Sequence, residues 1–228
     1  AGQGRVGQFT FLMVMFVLMI IGIIYVEQGQ RRIPIQFAKR VRGRKVMGGQ
    51  STYIPLKVNS AGVIPVIFAT SILFFPALVA TSLPQDNNIT AAIRNWIDIN
   101  LANSQGTTWF YIFFLGMLII FFTYFYTTIQ FDPVRQSDMI RRQGGFIPGV
   151  RPGISTTNYL SHIVNRITLP GSIFLASVAV LPSIASAIWD IPLGFSGISI
   201  LITVGVALET MKQIESQLSM RNYEGFID

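Results

Sequence analysis

Few residues in this 228-residue chain could do chemistry, and the best placed of them is an arginine. Arg151 stands in Ile147-Pro148-Gly149-Val150-Arg151-Pro152-Gly153, bracketed by two Pro-Gly pairs. Such pairs turn and stiffen the backbone, so the guanidinium is presented from one place. A fixed guanidinium suits a carboxylate or carbonyl of a docking partner; a topogenic charge in a tight loop is the plainer alternative. A second group is the cationic cluster Arg42, Arg44 and Lys45 around Gly43. Ribosomal RNA phosphates or an acidic protein surface would answer it, and attraction to anionic lipid is again the plainer alternative. Bond-making chemistry has no such candidates. Cysteine is absent and His162 is the lone histidine, which excludes disulfides, thiolate ligands, a cysteine nucleophile and a multi-histidine metal site. Walker A, HExxH, GxSxG and paired inward carboxylates are missing too, so neither a cofactor nor an enzymatic activity is expected.

The elements that must carry these residues follow from the charge spacing. Only 12% of residues are charged and 51% are apolar, whereas a soluble domain carries about a quarter charged. Uncharged runs of 21, 28, 33, 23 and 18 residues lie at 6–26, 58–85, 99–131, 167–189 and 191–208. About 20 apolar residues at 1.5 Å rise cross the roughly 30 Å hydrocarbon layer. The runs therefore predict an all-α, multi-spanning membrane bundle of five helices, at about 8–26, 60–82, 109–130, 168–188 and 192–209. The last contains Gly194, Gly197 and Gly205, which suit close helix contacts.

Lys and Arg orient the spans. Segment 27–59 holds eight basic residues against Glu27, and segment 131–167 holds five against Asp132 and Asp138. Loop 83–108 has only Arg94, and the turn at Asp190 has no basic residue. Both basic loops and the tail 210–228 are thus expected in the cytoplasm, with loop 83–108 outside. Five spans then put residue 1 outside, which reads as the C-terminal part of a longer membrane protein. In the first loop, Ile33, Ile35 and Phe37 alternate and 52–58 is β-prone, predicting a hairpin with the cationic cluster at its tip and Pro34 and Pro55 at edges. In the second, Asp132 is a plausible N-cap with Pro133 at N1 for a helix ending near Gly144-Gly145. A further helix is expected over 155–166, capped by Ser155 or Thr156, with His162 on its surface.

The interior of the membrane is predicted to hold no ionisable group, because none of the five runs contains Asp, Glu, Lys, Arg or His. Only amides and hydroxyls such as Asn59, Ser60, Thr70, Ser71 and Thr203 stand in or beside these runs. Ion-coupled transporters keep ionisable groups there. Pro65 and Pro76 are expected to interrupt the second span and make it a jointed helix.

Several stretches resemble the SecY family closely: Gln28-Gly29-Gln30-Arg31-Arg32-Ile33-Pro34, Phe37-Ala38-Lys39-Arg40, Gln50-Ser51-Thr52, Pro55-Leu56-Lys57-Val58-Asn59, Ala61-Gly62-Val63-Ile64-Pro65, and Phe146 through Gly153. The tail Ala207 to Gln213 looks like the Gram-positive version. The resemblance implies the second half, spans six to ten, of a ten-helix inverted-repeat channel in the plasma membrane of a bacterium. It implies a protein-conducting function: unfolded, signal-bearing polypeptides pass across the membrane or sideways into lipid. Ile67 and Ile202 would belong to the hydrophobic pore ring, and Phe75 to the gate helix of a lateral gate. Arg151 would serve the motor ATPase SecA, and Arg44 and Lys45, with Arg42 beside them, would meet SecA or the ribosome. Partners implied are the N-terminal half, SecE and SecG, SecA, the ribosome, a preprotein and the lipid bilayer. Half of a secondary solute transporter is the alternative, and a purely structural scaffold is a third reading.

Overall fold

Uncharged runs of this length become helices because only a helix satisfies every backbone N–H and C=O within one segment where water is absent. The computed structural model describes residues 2–37, 40–42, 45–47, 51–82, 88–101, 108–189 and 196–224. Its helices are α1 (Gly2–Gln28), α2 (Ile64–Ser82), α3 (Asn88–Asn100), α4 (Trp109–Gln130), α5 (Pro133–Arg142), α6 (Ile154–Trp189) and α7 (Gly197–Glu224). Its strands are β1 (Gln30–Phe37), β2 (Arg40–Arg42), β3 (Lys45–Met47), β4 (Ser51–Lys57) and β5 (Gly145–Phe146). Five helices, α1, α2, α4, α6 and α7, are long and apolar enough to cross a membrane.

These five share one core. Met15, Met19 and Ile23 of α1 meet Val66, Ala69 and Leu73 of α2, Leu115 and Ile119 of α4, Leu175 and Val178 of α6, and Ile200 and Leu201 of α7. α4 packs against both α2 and α6, while α7 packs against α1 and α6. Ring contacts add to the area burial: Phe68 of α2 lies 5.4 Å from Tyr126 of α4, and Phe11 of α1 lies 4.5 Å from Trp189 of α6. The outward faces carry Leu18, Phe74, Phe113 and Phe121 exposed. Apolar surface of that extent is stable only against lipid or another protein.

Outside the bundle sits a smaller core built by the two loops that the sequence marks as basic. β1 pairs antiparallel with β4, from Gln30 opposite Lys57 to Gln36 opposite Ser51. β5 adds to the other edge of β1 at Gln36 and Phe37. Pro34 and Pro55 are tolerated because Pro34 opposite Tyr53 and Arg32 opposite Pro55 share one parity of the ladder, and β5 begins only beyond Pro34. Alternation turns Ile33 and Ile35 inward, where they bury with Leu56 of β4, Ile140 of α5, Ile147, and Leu160 and Ile163 of α6.

Several boundaries depart from expectation. α2 begins at Ile64 rather than residue 60, because Gly62 turns the chain at φ 64°. Pro65 therefore falls in the first turn, where its missing N–H costs nothing, and does not interrupt the helix. The helix also continues through Pro76. α6 is a single helix from Ile154 through Pro170 and Pro182, so the expected loop helix and fourth span are one element. Its cap is neither Ser155 nor Thr156: the Gly153 carbonyl accepts from the N–H groups of Thr156 and Thr157, at 3.0 and 3.2 Å. α7 starts at Gly197, where Ser196 Oγ accepts from the Ser199 N–H, and runs through most of the expected tail on strong helix formers. The loop at 83–108 contains the amphipathic helix α3, whose Trp96 lies 5.6 Å from Phe110. The turn at Asp190 lies outside the described residues.

Candidate functional site

Arg151 is held by the smaller core. The α5 helix below it starts as expected: Asp132 Oδ1 accepts from the N–H of Val134 at 2.9 Å and of Arg135 at 3.4 Å, with Pro133 next in line. Ile147 is buried, and the Val150 N–H donates to its carbonyl at 3.1 Å, closing a turn over Pro148 and Gly149. Gly149 at φ 82° and Gly153 at φ 112° take conformations that side chains rarely adopt, so the turns on both sides of Arg151 need glycine. Two hydroxyls then fasten the segment. Thr156 Oγ1 donates to the Arg151 carbonyl at 3.0 Å, and Ser137 Oγ of α5 donates to the Gly153 carbonyl at 3.2 Å. Both hydroxyl residues are buried while Arg151 is exposed and forms no ion pair among the described residues. The backbone is fixed and the guanidinium is free to receive a partner.

Of the cationic cluster, Arg42 and Lys45 are register partners in the antiparallel β2–β3 pair. Arg44 lies outside the described residues. The β2–β3 pair is a two-stranded sheet of its own, lying in sequence between β1 and β4.

The third set of residues lies on α2. Pro65, Val66, Ala69, Leu73, Ala77 and Ala80 are buried. At 100° per residue these fill one side of the helix, and Ile67 and Phe75 fall on the opposite side. Ile67 is 44% exposed and Phe75 68% exposed. Ile202 of α7, 37% exposed, lies three residues before Gly205, which sits against the Val63 side chain at the foot of α2. Ile67 and Ile202 are thus each about one turn from the approach of α7 to α2.

Polar groups near this open side are consumed internally. Thr70 Oγ1 and Ser71 Oγ both donate to the Ile67 carbonyl, at 2.9 and 2.8 Å, and Thr203 Oγ1 donates to the Ser199 carbonyl at 2.8 Å. Ser60 Oγ donates to the Lys57 carbonyl at 3.0 Å. Each hydroxyl satisfies its own backbone, leaving an apolar surface. Asn59 is the exception. It is buried, its Nδ2 donates to the Glu27 carboxylate at 2.9 Å and to the Gly62 carbonyl at 3.2 Å, and its Oδ1 has no partner. Asn59 thereby ties the end of α1 to the entry of α2, a role its sequence position did not disclose. The Ser137 and Thr156 fastenings were equally unread, although both are small hydroxyl residues flanking the Pro-Gly frame.

Comparison with known proteins now bears on this arrangement. The SecY family model matches residues 2–211. The chain belongs to the SecY family. It is 50% identical over 226 residues to the protein translocase subunit SecY of Streptomyces scabiei, covering 96% of this chain and 49% of that protein. Against the SecY subunit of Thermus thermophilus it is 47% identical over 227 residues, covering 99% of this chain and 50% of that one. The chain thus spans about half the length of these SecY relatives. A solved protein-conducting channel shares the fold at TM-score 0.53 and 15% identity, covering 90% of this chain and 48% of that chain. A solved structure of a SecY protein, described for its plug domain, matches at TM-score 0.52 and 16% identity over 90% of this chain and 49% of that one. With five membrane-length helices, this SecY-family chain is a multi-pass membrane protein.

Proposed function

We propose that this chain is the C-terminal half, spans six to ten, of a protein-conducting channel in a bacterial plasma membrane. It passes unfolded, signal-bearing polypeptides across the bilayer or releases apolar segments sideways into lipid. One observation carries the reading: the open side of α2 holds large apolar residues, and its hydroxyls are all turned back on the helix. A solute transporter needs free polar or charged groups at that depth. The alternative of a transporter half-domain has no such group to work with, and the relatives are named as protein translocase subunits.

In this reading, Ile67 and Ile202 contribute to a ring that seals by dewetting and parts around a chain without holding it through polar contacts. α2 and α4 form one side of the lateral gate, with Phe75 on the channel side and the N-terminal half opposite. The two loops that form the smaller core face the cytoplasm, as the positive-inside rule requires. There Arg151 engages the SecA motor, and Arg42, Arg44 and Lys45 engage SecA or ribosomal RNA. SecE and SecG complete the assembly. The chain itself catalyses no bond change, since the motor or the ribosome supplies the energy.

The test places a photocrosslinking residue at Ile67, Phe75, Ile202 or, as control, the exposed Leu18 of α1, in a complete reconstituted channel. A preprotein arrested midway is expected to crosslink from the first three positions and not from Leu18. Equal yields from all four would overturn the assignment of the α2 side as the conducting face.

A further inference from the structure

Two cavities on α6 lie in line and differ in chemistry. The first has a volume of about 380 Å³ and is lined by Arg31, Tyr159, His162 and Arg166, with Val58 and Pro170 among its apolar wall residues. No acidic residue lines it. Arg31 reaches it because β1 turns odd-numbered residues inward, placing Arg31 on the face of Ile33, which packs with Leu160 and Ile163 of α6. The Val58 N–H donates to the Gly29 carbonyl at 2.9 Å, and this locks the root of the hairpin beside the pocket. On α6, Tyr159, His162, Arg166 and Pro170 recur at three and four residues and so share one face.

The second cavity, about 280 Å³, is an apolar groove between Met15, Met19 and Gly22 of α1 and Phe174, Ser177 and Leu181 of α6. Of its α6 residues, Ser177, Leu181 and Phe174 fall within about 80° of Arg166 around the helix, beside the face of the cationic pocket, and Val178 lies farther round at about 120°. From Arg166 to Leu181 the helix rises about 22 Å, the reach of one acyl chain. The last cation of the first cavity, Arg166, immediately precedes the uncharged run that starts at Ile167, and the groove begins one turn beyond Pro170, at Phe174. Cationic head, apolar tail and the helix's entry into the membrane therefore coincide.

We propose that this face of α6 holds one anionic phospholipid, with its phosphate among Arg31, His162 and Arg166 and an acyl chain in the groove against α1. Two guanidiniums and an imidazole offer donors with no competing carboxylate, and a guanidinium fork matches phosphate oxygens. The apolar groove continuing beneath selects an amphiphile over a free anion. The inference rests on the membrane embedding of the chain and is independent of which polypeptide, if any, it conducts.

The experiment is lipid retention by native mass spectrometry, on the full chain in detergent with phosphatidylglycerol and phosphatidylcholine offered in equal amounts. Phosphatidylglycerol is expected to be retained about tenfold over phosphatidylcholine, the ratio that one charge-assisted contact supports. The pair Arg31→Gln with Arg166→Gln should abolish that preference, whereas the equally discharging pair Arg135→Gln with Arg142→Gln should keep it. Ser177→Phe, which fills the groove without touching the cations, should release the long-chain lipid and spare a short-chain one. Undiminished preference in the Arg31/Arg166 pair would overturn the site. Full displacement by excess inorganic phosphate would overturn the lipid as occupant, and so would equal retention of the two lipids, which leaves the groove to a partner helix.

Discussion

Gly197 is where α7 runs into the backbone of α6, and replacing it with alanine puts a number on how closely these helices pack. A Cβ built there would overlap the Val178 carbonyl oxygen and stand 2.8 Å from the Ala179 carbonyl oxygen and 2.9 Å from the Ala179 Cα. These are backbone atoms, so no rotamer change relieves the clash, and the first turn of α7 must move off α6. That movement also opens the burial of Ile200 and Leu201, both within the main core. Overpacking of this kind costs about 1–3 kcal/mol. For a chain of this size that lowers Tm by roughly 2–12 °C. The comparison is Gly116→Ala in the middle of α4, where the nearest atom to a new Cβ is Val180 Cγ2 at 4.0 Å. There the added methyl finds room, and alanine's helix preference over glycine is worth about 1 kcal/mol. Thermal unfolding in detergent, followed by the monomer peak in size exclusion, should show Gly197→Ala falling and Gly116→Ala unchanged or raised. If Gly197→Ala melts with the unmodified chain, or both variants fall together, the close approach of α7 to α6 is refuted.

Asn59→Ala removes the donor to the Glu27 carboxylate and should cost about 1.5–3 kcal/mol, read as a lowered Tm in the same assay. Thr156→Val keeps the shape but loses the bond to the Arg151 carbonyl; motor affinity in a reconstituted channel should drop several-fold while Tm moves by about 1 kcal/mol equivalent or less. Ile67→Ser on the open side of α2 should let the closed channel conduct ions, seen as a basal current in planar bilayers, because a wetted constriction no longer seals.

Much of this arrangement is legible from charge spacing alone. The helix α4 spans the residues expected, because Trp109 to Gln130 is uncharged throughout and mostly aromatic or aliphatic, and nothing else could satisfy its backbone in lipid. The α5 cap was legible for a similar reason: Asp132 followed by Pro133 is a local signal that needs no tertiary information. What escaped was non-local or weak. α3 is polar on one face and lies within a loop assigned by its lack of basic charge, so its periodicity was hidden among Asn and Thr. β5 is two residues long and exists only because β1 offers an edge at Gln36 and Phe37. By residue type Ser155 or Thr156 suggests a cap for α6, but the Thr156 hydroxyl donates to the Arg151 carbonyl and the first-turn N–H groups go to the Gly153 carbonyl. The phosphate-sized pocket on α6 was spread over Arg31 and Arg166, 135 positions apart in the chain, and only the sheet's alternation brings them together.

Arg151→Glu tests the channel reading most directly. Proteoliposomes would contain this chain with an N-terminal half, SecE and SecG, and would be given SecA, ATP and a preprotein. The account predicts protease-protected preprotein with the unmodified chain, and loss of at least about tenfold of that signal with Arg151→Glu while the complex still assembles. No protected preprotein from the unmodified complex would contradict the channel itself. Normal transport by the variant would leave the channel standing and return Arg151 to a purely topogenic charge.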